Sequence, residues 1–183
     1  MATTTRYKPE DLLEITDRPM PELIDGQLVE REPMGQLSDA VAFRVGRMVG
    51  NFVDEHRLGL MNGAQGSYQI FPDDPDKVRI PDVSFTSRQR LPDRGADDGH
   101  GKVAPDLVVE VISPNDRAVD VSIKVQDFLA AGVRLVWVVN PYSRDVQVYR
   151  ANRPWSFLQA SDTLDGEDVL PGFRCQIEAL FKV

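Results

Sequence analysis

Leu107-Val108-Val109-Glu110-Val111-Ile112 is an apolar run as long as a strand buried on both faces, yet it carries a glutamate. Burying an unpaired carboxylate costs several kcal/mol, so Glu110 must be protonated, paired with a cation or bound to a metal. Pro105-Asp106 introduces the run and Ser113-Pro114 closes it, while a plainer copy of the motif, Ile80-Pro81-Asp82-Val83-Ser84-Phe85, lies upstream. Whatever fold the chain adopts has to give Glu110 a partner.

The elements around this strand follow from local signals. Pro9 and the acids after it predict a short helix over 8–14, and Asp25-Gly26 between apolar pairs predicts a two-residue hairpin. Val41, Val45, Met48, Val49, Phe52 and Val53 recur at helical spacing, so 37–56 reads as a helix packed on a sheet. Gly59, Gly63 and Gly66 punctuate its exit. A weakly alternating strand is expected at 67–71, with 78–86 as its neighbour. The segment 87–102 is charged and nearly devoid of apolar residues, which reads as a surface loop. Beyond Pro114, Asn115 or Asp116 is placed to cap a helix whose buried face is Val121, Val125, Phe128 and Leu129, stopped at Gly132. Leu135–Val139 then reads as a second buried strand, giving a strand, helix, strand crossover, and 145–150 as its hairpin partner. A further strand is expected near 156–160. No internal repeat or linker interrupts the 183 residues, so 1–183 is expected to form one domain.

Composition limits the partners. Lys+Arg 21 against Asp+Glu 29 gives a formal charge of -8, which opposes long-range attraction to nucleic acid or an anionic membrane. One cysteine, Cys175, excludes an internal disulfide framework and a multi-cysteine zinc site. With no apolar signal core near Met1 and no membrane-length apolar run, a soluble, cytoplasmic protein is expected.

Strand geometry selects the partner of Glu110. Asp106 shares a strand and a face with it, but at about 3.3 Å per residue their Cα atoms lie roughly 13 Å apart, too far to ligate one ion together. If the strand carrying Asp82 is the neighbour, at a spacing of about 4.8 Å, its carboxylate reaches the same point as that of Glu110. Two carboxylates with waters and a phosphate oxygen suit Mg²⁺ or Mn²⁺. Phosphodiester chemistry also calls for a positive group, and Lys124 flanks the buried face of the following helix, with its stem able to run along the sheet toward Glu110. On spacing alone, an ordinary surface pair with Asp120 is the favoured account of this lysine.

The order of these features, with Pro105-Asp106-Leu107-Val108-Val109-Glu110-Val111-Ile112-Ser113-Pro114, the Lys124 helix and the stretch from Ala131-Gly132-Val133 to Trp137-Val138-Val139-Asn140-Pro141, resembles the Uma-two (Uma2) family of restriction-endonuclease-like proteins over about 12–181. The resemblance implies the PD-(D/E)XK nuclease fold: a central mixed β-sheet flanked by helices, here with an N-terminal β-hairpin. It implies metal ligation by Asp82 and Glu110, with the Val111 carbonyl as a further ligand. The lysine common two residues after the second acid is replaced by Ile112, and the resemblance casts Lys124 as its substitute. Many members carry a histidine near the start of the first long helix, where this chain has Ser38-Asp39. Glu30, at the end of the hairpin, is an auxiliary acid or a solvated edge glutamate.

The expected activity is therefore that of a Mg²⁺- or Mn²⁺-dependent endonuclease on DNA, with Asp82, Glu110, Lys124 and Glu30 as candidate catalytic residues. The competing expectation is a nuclease-fold protein without activity, serving as a binding module or homodimer.

Overall fold

The computed structural model describes residues 5–16, 19–93, 95–96 and 98–183. After α1 (Pro9–Glu14), β1 (Glu22–Ile24) and β2 (Gln27–Val29) form the hairpin, with Asp25 and Gly26 both at positive φ as an Asp-Gly turn requires. The long helix α2 (Gln36–His56) follows and buries Val41, Val45, Val49 and Val53 along one stripe. Six strands then build the central sheet: β3 (Gly59–Gly63), β4 (Val83–Ser87), β5 (Leu107–Val111), β6 (Leu135–Asn140), β7 (Asp145–Arg150) and β8 (Arg153–Leu158), in spatial order 3-4-5-6-7-8. All neighbours are antiparallel except β5 and β6, which the crossover helix α3 (Ala118–Ala130) joins in parallel. The chain closes with β9 (Thr163–Asp165), β10 (Arg174–Gln176) and the single turn α4 (Ile177–Leu180).

The alternation of β5 and β6 divides the core. Leu107, Val109, Val111, Leu135, Trp137 and Val139 face α2 and the C-terminal elements, whereas Val108, Val136 and Val138 pack against Val125 and Phe128 of α3, with Phe71. Glu110 falls in the second set. The sheet is mixed and flanked by helices, as the family resemblance implies. Among the described residues, no helix is long and apolar enough to cross a membrane.

Three local expectations are corrected. The neighbour of β4 is β3, not 67–71, where only Tyr68 makes isolated bridges, to Arg79 and Gly101. Gly59-Leu60-Met61-Asn62-Gly63 lacks β-branched residues and reads as a loop, yet it is an edge strand. A Cβ on Gly59 would lie 2.1 Å from the carbonyl oxygen of Thr86, so glycine is needed for the two chains to approach. The residue before α3 is Arg117, which provides no side-chain cap. Asp116 instead accepts the Ser113 N–H at 2.6 Å, tightening the turn after β5. In the loop before β5, His100 is buried, with its ring nitrogens on Ser67 Oγ and the Pro9 carbonyl.

Asp106, the acid that strand spacing sets aside, has a supporting task. It is 1% exposed, accepts the Ser87 N–H at 2.8 Å, and pairs with Arg90 and Arg134. Burial raises its pKa, but the Ser87 bonds and Arg90 outweigh that and hold it below the usual carboxylate range. Asp106→Ala is expected to cost about 3 kcal/mol, because it removes the buried acceptor shared by the Ser87 N–H, Arg90 and Arg134. Urea unfolding checks this; an unchanged midpoint would refute the anchor.

Candidate active site

Asp82 immediately precedes β4, and the β4–β5 register, Val83 opposite Val109, places Asp82 opposite Glu110. Residues directly opposite in an antiparallel pair share a face, so both carboxylates lie on the α3 side of the sheet. They form part of the floor of a cleft of about 720 Å³ between the hairpin, the segment after it and α3. Asp82 is 4% exposed; its Oδ2 accepts the Val111 N–H at 2.7 Å, and its Oδ1 lies 3.5 Å from Arg31. Glu110 is 7% exposed; Oε2 pairs with Lys124 Nζ at 2.7 Å, and Oε1 is a buried acceptor with no hydrogen-bond partner.

Lys124 extends from α3 along the sheet, and the surface pair with Asp120 that spacing favours is not the contact it makes. Its ammonium sits between Glu110 and a second buried acid, Glu22 of β1, whose Oε1 is 3.4 Å away. Glu22 also accepts Arg79 Nη1 at 2.8 Å and the Ile80 N–H at 2.9 Å. Arg79 reaches on to Asp127 of α3, and Lys77 binds the same carboxylate. Glu22 was not among the sequence candidates. Glu30, the hairpin acid that was, lies exposed at the rim of the same cleft. Ser38 is fully buried and bonds the Ile112 carbonyl and the Tyr142 hydroxyl, while Asp39 lines the cleft.

The acids are electrostatically unequal. Burial, reinforced by Asp82 and Glu22, pushes Glu110 up to about 8 in spite of Lys124. Burial likewise raises Asp82 against the pull of Lys124, the Val111 N–H and Arg31. Burial also opposes ionisation of Glu22, but Lys124, Arg79 and the Ile80 N–H override it and keep that carboxyl low. Lys124 is raised: burial disfavours its charge, and Glu110, Glu22 and Asp82 more than compensate. Glu22 is therefore the firmly ionised partner of the lysine, and Glu110 is the acid whose charge is least provided for.

A divalent cation fits that imbalance. The unpartnered Glu110 oxygen and the neighbouring Asp82 carboxylate form a hard-oxygen donor pair at the cleft floor. Among the described residues, no three His, Cys, Asp or Glu side chains are grouped to hold a metal by themselves, so two carboxylates would need main-chain or water oxygens to complete the shell.

A sequence profile of Uma2, described as a putative restriction endonuclease, matches residues 9–178. The chain belongs to the Uma2 family. The fold agrees with that membership: a crystal structure of an Anabaena variabilis protein, described as a putative nuclease belonging to DUF820, superposes with a TM-score of 0.78 at 20% identity, covering 95% of this chain and 97% of that one. No curated protein matches the chain. Within the Uma2 fold, the cleft floor brings together Asp82, Glu110 and Lys124, and adds Glu22 to them.

Proposed function

We propose that this Uma2 protein is a divalent-metal-dependent endonuclease that hydrolyses phosphodiester bonds in DNA. The observation that carries the reading is the buried Glu110 oxygen without a partner, on the same face as Asp82 and beside the Lys124 ammonium. Asp82, Glu110 and the Val111 carbonyl would hold Mg²⁺ or Mn²⁺. The bound ion supplies Lewis acidity and offsets charge on the phosphoryl oxygens. Lys124, protonated and fixed against the sheet, donates hydrogen bonds toward a phosphoryl oxygen or the attacking water, stabilising the charge that develops there. Arg31 beside Asp82 offers a second cation at the cleft wall. Because the chain carries a net charge of -8, affinity for a polyanion has to come from these local cations and from the metal rather than from the global field.

The test joins binding to activity. Wild type is expected to nick supercoiled plasmid with Mg²⁺ or Mn²⁺ and to melt several degrees higher in Mn²⁺. Asp82→Asn should lose that thermal response: with its Oδ1 on the Val111 N–H, its amide turns a donor toward Arg31 where a carboxylate oxygen stood. Metal binding without cleavage of single- or double-stranded DNA would favour the binding module; an unaltered Mn²⁺ response in Asp82→Asn would remove Asp82 from the site.

A further inference from the structure

We infer that Glu22 is the alternative anchor of Lys124: it receives the ammonium when a cation occupies Glu110, and so acts as a positioning residue rather than a ligand. The inference rests on the metal-dependent reading above.

Lys124 Nζ is shared between two buried carboxylates that differ in how they are held. Glu110 Oε2, at 2.7 Å, has the lysine alone, and the other oxygen of that carboxylate has nothing. Glu22 Oε1, at 3.4 Å, is tied to the Ile80 N–H, and its Oε2 to Arg79. Turning the Glu22 carboxylate would break two charge-assisted bonds, so it offers the ammonium a stationary acceptor. Arg79 is itself fixed by Asp127, which lies on the same helix as Lys124. Lys124, Glu22, Arg79 and Asp127 thus close a ring through α3, linking the hairpin to the helix that supplies the lysine.

A divalent cation at Glu110 would face an ammonium bonded to the same carboxylate, and like charges so close repel strongly beside buried carboxylates. The ammonium has to yield, yet a buried charge cannot be left without an acceptor. Glu22 answers both demands: a displacement of under about 1 Å turns its longer contact into a full hydrogen bond. The lysine then stays charged and ordered at the floor. Without the Glu22 charge, Glu110 is the remaining carboxylate in contact with the ammonium, whose other acceptor is the Ile80 carbonyl at 3.5 Å, and lysine and metal compete for Glu110.

The test is a set of Mn²⁺ dissociation constants from titration calorimetry on wild type, Glu22→Gln, Lys124→Met and the double variant. Glu22→Gln is expected to weaken Mn²⁺ binding about tenfold or more, the scale found for groups supporting metal ligands. In the Lys124→Met background the same change should leave the affinity within about twofold, since no ammonium needs an anchor. Equal loss in both backgrounds would make Glu22 a ligand and overturn the inference; so would no loss in either. Should Glu22→Gln fail to fold, the wild-type protein crystallised with Mn²⁺ decides. Nζ should lie within hydrogen-bond distance of Glu22 and withdrawn from Glu110, whereas Nζ still on Glu110, or turned to solvent, refutes the hand-over. Wild type that takes up no Mn²⁺ sinks the metal-dependent reading and the anchor with it, while uptake insensitive to Glu22 sinks the anchor alone.

Discussion

Glu110→Gln is expected to lower the single-turnover rate of DNA nicking by about 10³-fold or more, and Lys124→Ala by about 10²- to 10³-fold, the range seen when a charge-stabilising group is removed from a desolvated site. Glutamine keeps the shape of Glu110 and an oxygen that can accept from Lys124, so the lost factor isolates the negative charge. That charge has no substitute at the floor. Asp82 is committed through one oxygen to the Val111 N–H, and Glu22 through both oxygens to Arg79 and Ile80. Lys124→Ala removes the ammonium and leaves Glu110 and Glu22 buried without it, which also costs stability. Rates should therefore be compared at a temperature where both proteins are folded. Variants that nick as fast as wild type would show that the measured activity arises elsewhere.

Glu110→Gln should also stabilise the metal-free protein, and only at higher pH. Burial pushes Glu110 up to about 8 in the folded protein, from 4.5 for a solvated glutamate, so between these values the folded state holds a proton that the unfolded chain has released. Stability falls with pH wherever the native state binds more protons; the loss begins near pH 4.5 and is complete above about 8. Glutamine has nothing to release. Glu110→Gln should match wild type near pH 4 and exceed it by a few kcal/mol at pH 8 to 9, as expected for a shift of this direction and scale. Mn²⁺ should reverse the order, because it binds the ionised form and stabilises wild type more as pH rises. Thermal melts from pH 4 to 9, with and without Mn²⁺, check both signs. A metal-free wild type that outlasts the variant at pH 8 would mean that Lys124 more than offsets the burial of Glu110.

Much of this site is legible in the sequence because it depends on short-range regularities. An acid inside a doubly buried strand is visible as a run of valines broken by Glu110, and the strand rise separates Asp106 from it without reference to a fold. That Asp82 could stand opposite follows once its strand is made a neighbour, and helical periodicity puts Lys124 at the edge of a buried face. The role proposed for it, in contrast, is implied by the resemblance to Uma2, since spacing alone favours a pair with Asp120. Glu22 was not legible. It sits in a hairpin that forms its own two-stranded sheet, and its contact with Ile80 spans 58 residues. Where such a hairpin docks is set by tertiary pairing, to which local patterns are blind. β3 was missed for a different reason: Gly59 and Gly63 are poor strand formers, and the edge position of β3 and the close approach to Thr86 override propensity.

The hairpin is both a wall of the cleft and the holder of Glu22. It is pinned by reciprocal backbone bonds between Leu23 and Val78, by the small apolar group of Leu12, Leu23 and Val78, and by the pair of Glu22 with Arg79. The apolar group securing it is smaller than the clusters on either face of the central sheet, so its release is expected to cost less than opening the sheet. Widening the cleft by releasing that hairpin withdraws Glu22 from Lys124 in the same movement. Access and charge order are thereby thermodynamically linked: a ligand that fills the cleft and holds the hairpin down also tightens the lysine, and slower amide hydrogen exchange at Leu23 and Val78 would be the signature of both.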